Sequence, residues 1–185
     1  KQPVSWGRLL VDNEDLSATW QPMEHGIEDA PFKIWVDLKD GRPPAGEYII
    51  GADVAAGTGG AYSSNSTLVA IDRRTRKLVL SFAMRTILPT QFARLTIGVC
   101  RWLHDALLVP EVNGAGKTFM NEIADVGYWN IYRRKTEMIG FDKETEKLGY
   151  QNQDRGTSLL TSLQDGINQG KVLIADEFVL RELGQ

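Results

Sequence analysis

The chain has 185 residues, of which 42% are hydrophobic and 24% charged, and its formal net charge is −3. This composition suits one soluble globular domain, and the negative charge argues against a broadly basic nucleic-acid binder while leaving room for a local basic patch. The single Cys100 excludes an internal disulfide framework, and no apolar run approaches the roughly 20 residues that span a bilayer. Because the chain begins at Lys1, we expect a fragment of a longer protein.

Residues 1–46 differ in character from the rest of the chain. They mix tryptophans with acidic and turn-forming residues, and they end in the turn cluster Asp40–Gly46. We therefore predict an N-terminal segment, residues 1–46, that packs as a linker on a domain formed by residues 47–185.

Three short apolar runs follow, each bounded by turn-forming residues. They predict strands over Tyr48–Asp53, Thr67–Ile71 and Leu78–Met84. Their short connections favour an antiparallel meander.

Helical and strand patterns alternate in the remainder of the chain. Apolar residues at helical spacing or in short runs first predict a helix from Pro89 to Leu103, a strand over Leu107–Val109, a helix over Gly114–Val126 and a strand over Asn130–Arg133. The polar residues 135–155 predict a long loop. After it, the pattern predicts a helix over 159–167 that Gly170 ends, a strand over 172–174 and a helix from 178. Three antiparallel strands followed by alternating helices and strands predict a mixed α/β sheet flanked by helices.

Two acidic residues stand at the ends of predicted strands. Asp53 ends the first strand and Glu111 follows the fourth. If these strands are parallel neighbours, both carboxylates lie at one edge of the sheet and can share hard cations such as Mg²⁺. Two metal ions held there would support phosphodiester hydrolysis. The alternatives are a turn aspartate at position 53 and a helix-capping glutamate at position 111.

Other features allow more than one interpretation. Gly114–Thr118 is similar to the end of a phosphate-binding loop, but Glu111 occupies the position where that loop requires glycine. The basic clusters Arg73–Lys77 and Arg133–Lys135 are interpreted as solvated turns or as phosphate contacts beside the acidic pair.

Several segments together resemble the C-terminal nuclease domain of phage terminase large subunits, over roughly residues 30–183. The matching segments are Tyr48–Gly60, Ser64–Ser66, Val109–Gly116, Trp129–Arg133 and Ile174–Leu183. The resemblance implies an RNase H-like fold and a nuclease dependent on Mg²⁺ or Mn²⁺ that cuts concatemeric double-stranded DNA. It matches Asp53 to the first catalytic aspartate and Glu111 to the acidic residue after the fourth strand, so both are expected to be catalytic and metal-binding.

The same resemblance implies a phage or prophage protein in the cytoplasm of a bacterial host. Its expected partners are double-stranded DNA, the terminase ATPase domain, the small terminase subunit and the portal, with no membrane. The third family carboxylate is expected beyond Gln185, so the fold is expected to be truncated at its C-terminus and the chain to be a weak or inactive nuclease. Asp154, Asp165 and Asp176 are substitutes by composition only.

Two further classes of function remain open. Asp53 followed by a loop rich in Gly, Ser and Thr also resembles the phosphate loop of actin-like sugar or acetate kinases, although such kinases need two domains. The other alternative is a non-catalytic module that docks on DNA or the portal. Metal-dependent nicking of plasmid DNA separates the nuclease from both, and ATP binding identifies the kinase.

Overall fold

The computed structural model describes residues 2–60, 63–135, 146–151 and 165–171. Within these residues the chain forms nine strands and two long helices, and residues 165–168 form a further helical turn. In chain order they are β1 (Ser5–Val11), β2 (Ala18–Pro22), β3 (Phe32–Ile34), β4 (Tyr48–Asp53), β5 (Ser66–Asp72), β6 (Leu78–Met84), α1 (Pro89–Trp102), β7 (Leu107–Pro110), α2 (Gly116–Val126), β8 (Arg133–Lys135) and β9 (Glu146–Leu148).

Seven of the strands form one mixed sheet in the order β2-β1-β3-β6-β5-β4-β7. The strands β4, β5 and β6 form the predicted antiparallel meander. The strand β7 joins β4 in parallel after the α1 crossover, as expected when a helix connects two parallel strands. The mixed α/β fold predicted from the sequence is therefore confirmed.

The N-terminal segment contributes directly to this sheet. The strand β3 pairs with β6, and β1 pairs with both β3 and β2. Sequence patterns did not indicate these three strands, and the domain boundary at residue 46 stays a prediction.

The strand β7 has further neighbours beyond the seven-stranded sheet. The Tyr132 N–H donates to the Leu108 carbonyl, and the Tyr150 N–H donates to the Pro110 carbonyl. Between these two contacts the chain leaves the sheet and forms the antiparallel β8–β9 pair. The loop predicted over 135–155 is therefore wrong at 146–148, where backbone pairing with β8 makes a strand.

The remaining predictions fall largely outside the described residues. These include the rest of that loop, 136–145 and 152–155, the strand 172–174 and the helix from 178. Only residues 165–167 of the predicted helix 159–167 are described, and Gly170 has the positive φ of 66° that suits a helix end. Among the described residues, no helix is long and apolar enough to cross a membrane.

Both helices pack on one face of the sheet. Pro89 starts α1, and the Leu88 N–H donates to the Gln91 side chain at 3.3 Å, which fixes the first turn. The Phe92 ring stacks on Phe82 of β6, with 5.7 Å between the ring centroids, and it contacts Phe119 of α2, with 5.3 Å between the centroids. This aromatic group joins the two helices to the sheet.

Replacement of Phe92 by alanine should destabilise the fold strongly. The side chain is fully buried, so truncation leaves a cavity and should cost about 3–5 kcal/mol. Urea unfolding followed by tryptophan fluorescence measures this change. Leu10→Ala is the matched control, because Leu10 is 53% exposed and its loss should cost under about 1 kcal/mol. Equal effects of the two substitutions would contradict the assigned core.

Candidate metal centre

The two acidic residues predicted from the sequence lie at the ends of adjacent parallel strands. Ala52 is paired with Pro110 in the β4–β7 register, and the Glu111 N–H donates to the Ala52 carbonyl at 2.8 Å. Asp53 and Glu111 are thus the next pair in register, at the carboxyl edge of the sheet. The predicted parallel neighbourhood of the first and fourth strands is confirmed.

Both residues also lie on the same face of the sheet. Ile50 and Ala52 are buried toward the helices, and Leu108 is buried in the same core cluster. Successive side chains of a strand alternate between faces. Asp53 and Glu111 therefore lie on the face opposite α1 and α2, with Asp53 exposed and Glu111 half-buried.

The electrostatics of the pair reflect this proximity. Burial raises the pKa of Glu111; the hydrogen bond from Asn113 opposes that change, whereas the charge and hydrogen bonding of Asp53 raise the pKa further. The Asn113 amide donates to Glu111 Oε1 at 3.0 Å. Asn113 therefore orients a carboxylate that has an acidic neighbour on the adjacent strand.

The predicted alternative for Glu111, a helix cap, is not what the structure shows. The helix α2 starts at Gly116 with Ala115 as its N-cap residue and has no side-chain capping hydrogen bond. Gly114 has φ of +50°, a conformation that glycine adopts freely. The Gly114–Thr118 stretch thus contains the turn after Glu111 and the first residues of α2.

Gly116 allows the start of α2 to approach Glu111. A Cβ atom at Gly116 would lie 2.2 Å from the Glu111 carbonyl oxygen, which cannot move without displacing the end of β7. Gly116→Ala should therefore destabilise the protein by about 1–3 kcal/mol. Thermal unfolding tests this expectation, with Gly60→Ala as the control because a Cβ at Gly60 meets nothing within 4 Å. If Gly116→Ala and Gly60→Ala have the same melting temperature, the close approach of Gly116 to the Glu111 carbonyl is incorrect.

The donor set of the pair suits a hard cation. Mg²⁺ in proteins is commonly held by one or two carboxylates and completes its octahedral shell with water and substrate phosphates. Within the described part of the chain, no group of three or more Asp, Glu, His or Cys side chains could hold a metal ion. Asp165 consequently does not complete the pair there, and Asp154 and Asp176 lie outside the described residues.

Two hydroxyl-bearing residues extend the acidic pair into a row across the sheet, and sequence reasoning missed both. Thr67 of β5 is the register partner of Asp53. Tyr150 is the parallel bridge partner of Glu111 on the other side. Only strand pairing reveals this row, because Tyr150 lies within a polar segment without strand periodicity.

The basic cluster Arg73–Lys77 lies away from this row. It follows Asp72, the register partner of Tyr48 at the start of β4, so it is separated from Asp53 by the strand's length, roughly 17 Å. Arg73 forms an exposed ion pair with Glu47 at 3.2 Å. This position favours the solvated-turn interpretation. The Arg133–Lys135 cluster, by contrast, starts the β8–β9 pair that returns to the sheet at Gly149 and Tyr150.

The sheet order and the two helices define a mixed α/β fold, and solved structures share this fold. The chain is similar to the large terminase nuclease from thermophilic phage G20c, with TM-score 0.57, 16% identity and coverage of 83% of this chain and 70% of that chain. The magnesium-bound form gives TM-score 0.59 and 18% identity over 83% and 69% of the two chains. The zinc-bound form gives TM-score 0.59 and 17% identity over 84% and 77%.

At this level of identity the comparison establishes a shared fold. The chain has the RNase H-like fold of a terminase nuclease domain, as its sequence motifs implied. No protein-family model matches the sequence, and a comparison with curated proteins finds no sequence match.

Proposed function

We propose that this chain is the metal-dependent endonuclease domain of a phage DNA-packaging terminase, cutting concatemeric double-stranded DNA. The observation that carries the proposal is the placement of Asp53 and Glu111 at adjacent parallel strand ends, on one face of a sheet whose fold is that of a terminase nuclease. The G20c nuclease has been solved with bound magnesium, cobalt and zinc. We infer that Asp53 and Glu111 bind divalent cations here, with Mg²⁺ or Mn²⁺ as the working ion.

The chemistry of the proposed site divides between the ions and the chain. Divalent ions supply Lewis acidity toward the phosphodiester and make the attacking water more acidic. Asp53 and Glu111 supply the negative charge that binds these ions, and Asn113 fixes the orientation of Glu111 through its 3.0 Å hydrogen bond. Because Asp53 is exposed at the sheet edge, a DNA phosphate can reach the pair from solvent.

The proposed setting is the packaging machinery in the cytoplasm of a bacterial host. There the domain would work with the terminase ATPase domain, the small terminase subunit and the portal. The negative charge of the chain fits recognition of DNA through a few local phosphate contacts, since broad affinity for the duplex requires many basic side chains.

The deciding experiment is plasmid nicking by the purified chain. Supercoiled plasmid is incubated with protein in excess, with Mg²⁺ or Mn²⁺ in one series and EDTA in another. We expect relaxed and linear products only with the divalent cation. Equal cleavage in EDTA would contradict the proposal, whereas weak cleavage that requires the divalent cation agrees with the low activity expected from the sequence. Binding of ATP under the same conditions would favour a kinase, and cation-independent DNA binding without cleavage would favour a docking module.

A further inference from the structure

Tyr150 lies at the end of the row formed by Thr67, Asp53, Glu111 and Tyr150. The proposed function gives it no role. Its N–H donates to the Pro110 carbonyl at 2.7 Å, and its own carbonyl accepts from the Val112 N–H at 2.9 Å. These two bonds bracket Glu111 and make Tyr150 its partner in a parallel bridge. Side chains of register partners lie on the same face of a sheet, on strands about 4.8 Å apart. Tyr150 therefore neighbours Glu111 on the face that carries Asp53.

The preceding glycine holds the chain in this position. Gly149 has φ of +75°, and a Cβ there would lie 2.3 Å from Val112 Cγ1 and 3.0 Å from the Pro110 carbonyl oxygen. The Gly149 N–H also donates to the Tyr132 carbonyl at 2.8 Å, where the chain returns from the β8–β9 pair. Only a residue without a side chain allows this approach, so the backbone fixes Tyr150 closely against the end of β7.

The chemistry of the phenol differs from that of its acidic neighbours. A tyrosine hydroxyl is neutral at pH 7 and can donate a hydrogen bond. Two carboxylates repel a phosphodiester, whereas a neutral donor beside them attracts one. Tyrosine is longer than glutamate, so its hydroxyl can extend past Glu111 toward a bound substrate. The ring is half-buried, and within the described residues no side-chain hydrogen bond occupies its hydroxyl.

We propose that Tyr150 is a catalytic residue whose hydroxyl donates a hydrogen bond to a non-bridging oxygen of the scissile phosphate. This inference rests on the proposed nuclease function and adds a substrate contact to it. As negative charge grows on the phosphate oxygens during attack, a donor held in place by the sheet binds the transition state more strongly than the ground state. Its removal should therefore slow cleavage more than it weakens DNA binding.

The test uses Tyr150→Phe, which keeps the ring and removes only the hydroxyl. The single-turnover cleavage rate is measured in Mn²⁺ at saturating protein, and DNA affinity is measured by fluorescence anisotropy without divalent cation. We expect the rate to fall about 10- to 100-fold, the value of one hydrogen bond to a charged group, while affinity and melting temperature stay nearly constant. The matched control is Tyr48→Phe, because the Tyr48 hydroxyl donates to Pro44 at the opposite end of β4 and should not affect the rate.

Each other outcome overturns the proposal in a recognisable way. A Tyr150→Phe rate within about twofold of the unmodified rate, with Tyr150→Leu weakening DNA affinity, would indicate base stacking by the ring. A large loss of melting temperature in Tyr150→Phe would indicate a structural role. Failure of the proposed function is distinguishable, because then Asp53→Asn would cut as fast as the unmodified chain.

Discussion

Asp53→Asn should reduce metal-dependent cleavage by about 1,000-fold or more, equivalent to about 4 kcal/mol of activation free energy. The amide keeps the shape of the side chain but removes the charge that we propose binds the cation. Asp53 is exposed at the end of β4, so the fold should tolerate the change. Single-turnover plasmid nicking in Mn²⁺ measures the loss, and circular dichroism checks that the secondary structure is retained.

The control for this substitution removes the same charge at a distant position. Asp125 is exposed near the end of α2, on the helix-covered side of the sheet, so Asp125→Asn should cleave at the unmodified rate. The double variant Asp53→Asn with Glu111→Gln should lose little more activity than Asp53→Asn alone, because both residues are proposed to act through the same bound ions. If Asp53→Asn cleaves at the same rate as Asp125→Asn, Asp53 is not part of the metal site.

Glu111→Gln should abolish cleavage to a similar extent but stabilise the metal-free protein at neutral pH. Burial, opposed by Asn113 and reinforced by Asp53, raises the pKa of Glu111 in the folded state. A carboxyl group with a raised folded pKa contributes stability below its unfolded pKa, near 4.3, and that contribution is lost as pH rises through the folded pKa. At neutral pH the ionised Glu111 therefore costs stability, and the neutral glutamine removes that cost.

Thermal unfolding in EDTA at several pH values measures this effect. We expect Glu111→Gln to have a higher melting temperature than the unmodified chain at pH 7, with the difference disappearing near pH 4. With divalent cation present, the unmodified chain should have the higher melting temperature. Cation binding to the native state adds about 1.4 kcal/mol to the free energy of unfolding at ten times the Kd. Glu122→Gln is the control, because Glu122 forms an ion pair with Arg94 and its loss should not stabilise the protein. A lower melting temperature for Glu111→Gln at pH 7 in EDTA would contradict the assigned environment.

The local sequence pattern was sufficient for the central elements and for the two acidic candidates. The strands β4 and β6 have the bounds predicted from their apolar runs, and α1 and β7 differ from prediction by one residue at an end. These segments could be predicted because buried strands are short apolar runs bounded by turn-forming residues, whereas burial of one helix face imposes a period of 3.6. The same patterns placed Asp53 and Glu111 at strand ends, where carboxylates are accessible to cations.

Strand pairing, by contrast, was decided by the tertiary structure. Nothing local in β1 or β3 specifies that they extend the sheet beyond β6, because their partners are distant in sequence. Gly7 is an example: it is buried where a Cβ would lie 2.1 Å from the Gln21 carbonyl oxygen, a constraint that exists only once β1 and β2 are paired. The position of Tyr150 has the same origin, since its segment is polar and aperiodic and becomes part of the row only through hydrogen bonds to Pro110 and Val112. Sequence periodicity records which face of an element is buried, whereas the identity of a neighbouring strand depends on contacts that only the folded chain brings together.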